Sequence, residues 1–266
     1  NIFCWHGNTD LIIAIIKLME DKLNAESDIT DGGVQAILLV EDSVRFYSTY
    51  LPELYKIILV QNSEFLKDAY NEQQQISRKR ARPKVLLATS YEEALDTYNR
   101  YKKNLLGVIS DVGLVLHRGD AAENEKSDAG VEISRMIKAE TPWMPVILQS
   151  SQVNYADVAA EMGVGFIAKS SKTLLQELQD VVLREFGFGE FIFRDLATGE
   201  VVGRARDLMQ MQSLIATVKD DVLEYHLSQM HLSKWLYARG LFPLAKVLRS
   251  INSSHFSSTA EHRAAL

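Results

Sequence analysis

The sequence predicts an α/β fold: a doubly wound sheet of five parallel strands, followed by a small and mostly helical C-terminal region. Three observations favour this class. Short apolar runs alternate with helical patterns along the middle of the chain, and the runs lack the alternation of half-buried strands. Carboxylate, hydroxyl and ammonium side chains also follow four of the runs, and a parallel sheet would bring the ends of these runs together at one edge.

Five apolar runs are predicted as strands. Runs of this kind are typical of a parallel sheet that is buried on both faces, because neither face needs polar side chains. They are Ala36 to Val40, Val85 to Ala88, Leu106 to Ile109, Val146 to Leu148, and Gly165 to Ala168.

Helical patterns follow each predicted strand, which gives five successive βα units with right-handed crossovers. They begin at Ser43 and then cover Tyr91 to Lys103, Gly130 to Glu140, Tyr155 to Met162, and Thr173 to Glu185.

Composition limits the function classes. The chain has 266 residues, 47% of them hydrophobic, so it can bury a sizeable core. A net charge of −6 does not favour a nucleic-acid partner. The only cysteine, Cys4, excludes an internal disulfide and fits a reducing cytoplasm. The apolar run Leu11 to Ile16 is too short to span a membrane.

We expect three regions: residues 1–33, 34–186 and 187–266. The segment from Phe3 to Ile12 aligns without gaps on the segment from Phe166 to Leu175, so each is predicted as a strand, a polar loop and a helix. Residues 1–33 are therefore interpreted as the last strand and helix of a preceding degenerate domain of the same kind, plus a linker. The alternative, that this helix caps the domain that follows, stays open.

The third region changes in character after Phe186. A hairpin is predicted around Ala197 to Gly199, and helices over Leu208 to Thr217, Asp221 to Tyr237 and Leu244 to Ile251. We expect this region to continue in a longer protein. His226 and His231 are five residues apart, which would put them on different faces of one helix and makes a metal site improbable.

The residues that could take part in a reaction lie at the ends of the predicted strands. Glu41 and Asp42 follow the first strand, Asp111 the third, Ser150 the fourth and Lys169 the fifth. Three carboxylates in one cleft repel each other, and Mg2+ with its preference for oxygen ligands relieves that repulsion. A carboxylate can also attack phosphorus and form an aspartyl phosphate, with a metal and a lysine neutralising charge.

These motifs resemble the receiver domains of bacterial two-component response regulators, which have a flavodoxin-like fold. The matching stretches are Leu38 to Ser43, Val108 to Val112, Pro145 to Ser151 and Phe166 to Lys169. The resemblance implies a cytoplasmic phosphorelay protein that binds Mg2+, with a sensor histidine kinase or a small phosphodonor as partner. It also implies self-phosphorylation from such a donor, and autodephosphorylation.

The resemblance assigns a role to each residue. Asp111 would be the phosphoacceptor, and Ser150 and Lys169 would contact the phosphoryl group. Phe166 would be the aromatic switch. The metal ligands would be Glu41, Asp42, Asp111 and the backbone carbonyl of Gly113.

The first helix departs from this family, because nearly fifty residues separate the first two strands. An apolar stripe of Leu54, Ile58, Phe65, Ala69 and Ile76 suggests a long helix whose stripe needs a cover. A homodimer through that helix is the preferred expectation, and cover by the helix Leu11 to Leu23 or by the helices after Asp207 are the alternatives. The basic run Arg78 to Arg82 is interpreted as a solvated helix end rather than a nucleic-acid patch.

Two other functions remain possible on the sequence alone. The chain could be a degenerate receiver that acts as an interaction or dimerisation scaffold, or a DNA-binding response regulator that reads DNA with its C-terminal helices. The order of regions is also similar, more loosely, to proteins with a PEP/pyruvate-binding, dikinase-like domain. In that case, the receiver would regulate an output beyond Leu266.

Overall fold

The computed structural model describes residues 2–5, 7–67, 81–250, 261 and 263–264. The chain divides into two compact units after Val181, which is five residues before the predicted boundary at Phe186. The first unit carries the parallel sheet. The second carries a hairpin, and its described residues up to Ser250 form four further helices.

The sheet of the first unit has five strands, all parallel, which confirms the predicted fold class. They are β1 (Ala36–Val40), β2 (Lys84–Ala88), β3 (Leu105–Asp111), β4 (Val146–Ser150) and β5 (Gly165–Ala168). The strand order is β2-β1-β3-β4-β5. In this doubly wound order, the direction in which strands are added to the sheet reverses, and the switch point lies between β1 and β3. A crevice forms at the carboxyl ends of the strands at such a point.

In the described part of this unit, six α-helices accompany the sheet, and a helix is present at each predicted position. Their ends follow local chemistry: Ser90 caps its helix by accepting a hydrogen bond from the Glu93 N–H. No described helix is long and apolar enough to cross a bilayer. The helices are α1 (Asp10–Ala25), α2 (Val44–Lys67), α3 (Tyr91–Tyr101), α4 (Ala129–Glu140), α5 (Tyr155–Glu161) and α6 (Leu174–Glu185).

The N-terminal segment differs from the prediction in one respect. The strand expected around Phe3 is wrong, since residues 2–5 have no regular structure. The predicted helix is present as α1, and it packs on α2 and β2 in the first unit. The descent of this segment from a preceding domain stays a prediction.

A buried ionic cluster fixes α1 in place. Asp21 is fully buried, and it accepts hydrogen bonds from Tyr55 Oη at 2.8 Å, the Val85 N–H at 2.9 Å and the Arg82 guanidinium. Burying a carboxylate is tolerated when donors surround it in this way. The expectation that Arg82 is solvated is wrong. Residues 78–80 of the basic run lie outside the described residues.

The apolar stripe of α2 is covered within the chain. Leu54 and Ile58 are fully buried, and Phe65 is 9% exposed. These three residues are therefore not free to form a dimer interface, and α1 packs against α2. The homodimer itself stays a prediction. Ala69 and Ile76 lie outside the described residues.

The second unit confirms the hairpin and corrects one helix. Strands β6 (Phe191–Arg194) and β7 (Val201–Ala205) pair antiparallel. The predicted helix from Asp221 to Tyr237 is instead two helices, because Met230 takes a left-handed conformation with φ 56°. The four helices are α7 (Leu208–Thr217), α8 (Asp220–Ser228), α9 (His231–Ala238) and α10 (Phe242–Ser250).

That corner brings two histidines together. His226 Nδ1 and His231 Nδ1 are 2.9 Å apart, so the expectation of separate helix faces is wrong. Burial lowers the pKa of His226 to about 4 and that of His231 to about 3. Among the residues that the structure describes, no third ligand completes a metal site here.

Candidate phosphoacceptor and metal site

Three of the predicted side chains meet at the carboxyl ends of the strands. Lys169 follows β5, Glu41 follows β1 and Asp111 ends β3. The Lys169 ammonium lies 2.7 Å from Glu41 Oε2 and donates a hydrogen bond to Asp111 Oδ2. One lysine therefore joins carboxylates from the ends of two neighbouring strands.

Asp42 completes a cluster of three carboxylates. Glu41, Asp42 and Asp111 each offer an oxygen, and these oxygens lie within 4.8 Å of one another. Backbone N–H groups orient them: Ser43 donates to Glu41 at 3.1 Å and Val112 to Asp111 at 2.8 Å. The carboxylates are therefore held at the mouth of the crevice.

The cluster carries more negative charge than Lys169 balances. Burial, and then the charge of Asp111, raise the pKa of Glu41 to about 8. Burial also raises the pKa of Asp111, although the Lys169 ammonium opposes that rise. The pKa of Lys169 is raised as well, because Glu41 and Asp111 outweigh the cost of burying the ammonium.

The side chains fit a hard divalent cation. Glu41 Oε2 is buried, and although Lys169 lies at ion-pair distance, no described donor is aligned to hydrogen-bond with this oxygen. A buried carboxylate oxygen without a hydrogen bond is costly, and a cation would satisfy it. Three carboxylate oxygens on one side match the donor set of Mg2+, which prefers oxygen and keeps waters.

The other predicted site residues lie around this centre. Ser150 ends β4, and its hydroxyl accepts a hydrogen bond from the Gln152 N–H at 3.1 Å. The structure does not bring that hydroxyl into a hydrogen bond with Asp111. Phe166 is half-buried and packs against a small cluster that includes Val112 and Leu148. Gly113 follows Asp111 by two residues.

Phe46 is a site residue that the sequence analysis did not identify. The Lys169 ammonium lies 4.2 Å from the centroid of the Phe46 ring, at cation–π distance. Phe46 also stacks on Tyr50 with ring centroids 5.9 Å apart. The lysine is therefore held between an aromatic ring and two carboxylates. Phe46 lies in the first turn of α2, where the sequence alone cannot distinguish a site residue from an aromatic residue of the hydrophobic core.

Glu125 is a second unexpected neighbour. It belongs to a two-residue strand, Glu125–Lys126, that pairs with Leu114–Val115. A Cβ on Gly113 would lie 1.6 Å from Glu125 Oε1, so this carboxylate rests directly on the Gly113 backbone. Burial, then the charges of Asp42 and Asp111, raise the pKa of Glu125. In the sequence, Glu125 is one of four acidic residues between Asp111 and Gly130.

Gly130 explains how α4 approaches the site. A Cβ at this position would lie 1.9 Å from the backbone oxygen of Asp111. The Gly130 N–H also donates to the Val112 carbonyl oxygen at 2.8 Å. Only glycine allows the start of α4 to lie this close to the chain that carries Asp111.

Comparisons with known proteins find likenesses among solved structures only. The chain is similar to a response regulator receiver domain protein from Clostridium thermocellum, with 22% identity, a TM-score of 0.32, and coverage of 56% of this chain and 91% of that chain. It is similar to the receiver domain of NtrX from Brucella abortus, with 21% identity, a TM-score of 0.32, and coverage of 55% and 93%. It is also similar to the phosphorylated cyanobacterial phytochrome response regulator RcpA, with 18% identity, a TM-score of 0.34, and coverage of 64% and 99%.

No protein-family model matches the chain, and no curated sequence does. Likenesses at these identities and TM-scores say nothing about activity. The chemical role of the site must therefore be inferred from the geometry of its own residues.

Proposed function

We propose that the first unit is a phosphoacceptor receiver domain, in which Asp111 accepts a phosphoryl group with Mg2+ bound and so regulates an attached or downstream output. The observation that supports this most strongly is the Lys169 ammonium between Glu41 and Asp111. Transfer of a phosphoryl group to an aspartate requires three parts. They are a carboxylate nucleophile, a cation beside it, and an acidic pair that can bind a metal.

The proposed reaction is a displacement at phosphorus. One Asp111 carboxylate oxygen forms a bond to phosphorus while the bond from phosphorus to the leaving group of the donor breaks, and the leaving group departs with that electron pair. Lys169 neutralises charge on the phosphoryl oxygens, and the Ser150 hydroxyl donates to one of them. Hydrolysis of the aspartyl phosphate later returns the free carboxylate and inorganic phosphate.

Glu41, Asp42, Asp111 and the Gly113 carbonyl would hold the metal. Mg2+ would supply charge neutralisation at the phosphoryl group. Phe46 would limit the movement of Lys169, because its ring covers one side of the ammonium. Phe166 would report phosphorylation by a change of rotamer.

Mass spectrometry of the intact protein tests this proposal. Wild type and Asp111→Asn are incubated with acetyl phosphate, with Mg2+ or with EDTA. We expect a phosphoryl adduct on the wild type only, and only with Mg2+. Equal labelling of both proteins would overturn the assignment of Asp111.

The cellular setting is proposed on the same basis. A sensor histidine kinase or a small phosphodonor would supply the phosphoryl group, in a bacterial cytoplasm. A dikinase-like output beyond Leu266 is a looser proposal, and a full-length reading frame that encodes such a region would support it. A frame without one would remove it.

A dimerisation scaffold is the second candidate, and one observation favours it. The outer face of α1 exposes Ile12, Ile16, Met19 and Leu23, spaced by four, three and four residues. This is the spacing of a coiled-coil seam, which can pair with the same seam of a second copy. Light scattering on wild type and Ile16→Glu tests this candidate, and a monomeric wild type at high concentration would exclude it.

A further inference from the structure

Glu125 is exposed, and its carboxylate has no partner among the residues that the structure describes. Within the described part of the chain, it forms no ion pair and accepts no hydrogen bond. Its oxygen rests against Gly113, two residues after Asp111. Burial, then the charges of Asp42 and Asp111, raise the pKa of its carboxyl group.

The position of Glu125 is built into the fold. The Val115 N–H donates to Asp42 Oδ2 at 3.0 Å, which ties the strand Leu114–Val115 to the acidic pair. Val115 in turn pairs with Glu125. On the neighbouring residue, the Lys126 ammonium binds Glu132 and lies 4.9 Å from the Tyr91 ring centroid. Contacts on both sides therefore hold Glu125 at the mouth of the site.

We infer that Glu125 is a fourth carboxylate of the metal site, which binds the cation through a metal-bound water and repels anionic phosphodonors from Asp111. It lies outside the group of three oxygens that are mutually within 4.8 Å, so contact through water fits better than direct ligation. Mg2+ retains several waters that can donate to such a carboxylate. This inference rests on the proposed function.

The repulsion follows from the same charge. An anionic donor that approaches Asp111 would meet the charge of the carboxylate on Gly113, because charges closer than a Debye length are only partly screened. Glu125 therefore strengthens cation binding and slows phosphoryl entry. Removal of its charge should change the two properties in opposite senses, which a general loss of structure would not do.

Glu125→Gln tests the inference, with Glu123→Gln as the matched control. Glu123 lies in the same loop, is exposed as Glu125 is, and has the same charge. Calorimetric titration should show Mg2+ affinity about three- to tenfold weaker in Glu125→Gln. At saturating Mg2+, its labelling by acetyl phosphate should be about two- to fivefold faster. Glu123→Gln should match the wild type in both measurements.

A failure of this inference can be distinguished from a failure of the proposed function. If the wild type binds Mg2+ and labels Asp111, and Glu125→Gln behaves like the wild type, the role of Glu125 is wrong and the proposed function stands. Equal effects from Glu123→Gln would also overturn it, since any loop charge would then suffice. A wild type that binds no Mg2+ would overturn both the inference and the proposed function.

Discussion

Lys169 lies 2.7 Å from Glu41, a fully buried carboxylate whose pKa is raised to about 8. The two residues follow different strands, β5 and β1, and 128 positions separate them in the chain. A carboxylate in this position is costly to ionise without further positive charge. The pair therefore explains both why the cluster suits a cation and why the lysine is close to Asp111.

The first prediction separates metal ligands from the phosphoryl contact. Lys169→Ala should bind Mg2+ as tightly as the wild type or tighter, because it removes a cation and no ligand. Glu41→Gln with Asp42→Asn should lose most of the affinity, at least tenfold, because two charged oxygen ligands are lost. Calorimetric titration with Mg2+ measures both, and the reverse order of effects would exchange the assigned roles.

The second prediction concerns pH. Because the pKa of Glu41 is raised to about 8, Glu41 holds a proton below that pH, and Mg2+ must displace it. Apparent Mg2+ affinity should rise with pH between 6.5 and about 8, and level off above it. Titrations in buffers of different ionisation enthalpy report the released proton. An affinity that does not change over this range would show that Glu41 is already ionised.

Much of the fold could be predicted because the strands carry a local signal. A run such as Ala36 to Val40 is buried along its whole length, so its composition alone identifies a central parallel strand. The acidic pair, Asp111 and Lys169 could be placed for a related reason, since they immediately follow those strands. These site residues could therefore be located because each lies next to a strand that the sequence identifies.

What could not be predicted depends on contacts between distant segments. Arg82 is buried because Asp21, sixty-one residues earlier, accepts its hydrogen bonds. Glu125 reaches the site only through the short pairing with Val115. The corner at Met230 adopts a backbone conformation that its side chain does not favour, so no turn residue marks it. Neither periodicity nor composition records such contacts.

The third prediction tests the approach of α4 to the site. Gly130→Ala should destabilise the first unit by about 2 kcal/mol or more, because its Cβ would meet the Asp111 backbone and one of the two segments must shift. Gly165→Ala is the control, since its Cβ would have only ordinary contacts, at 3.5 Å. Urea denaturation compares them, and equal midpoints would contradict the close approach.

The fourth prediction concerns the histidine pair of the second unit. The pKa values of His226 and His231 lie below the ordinary value of 6.5, so the unfolded chain binds protons more strongly than the folded one below that pH. Stability of the second unit should therefore fall as the pH drops from 6.5 to about 4, by about 5 kcal/mol, because each histidine contributes up to about 1.4 kcal/mol per pH unit.

Fluorescence of Trp235 during urea denaturation follows this unit, with Trp5 and Trp143 replaced by phenylalanine to remove their emission. His226→Leu with His231→Leu should lose most of the pH dependence in that window. If the double variant keeps the same dependence, carboxylates and not the histidine pair are responsible.

Chemical mapping of the phosphorylated residue tests the central claim most directly. Borohydride reduces an aspartyl phosphate to homoserine with release of phosphate, so tandem mass spectrometry can then identify the modified position. After incubation with acetyl phosphate and Mg2+, we predict homoserine at position 111, and none when EDTA is present. Homoserine at another aspartate, or none under any condition, would contradict the assignment of Asp111 as the phosphoacceptor.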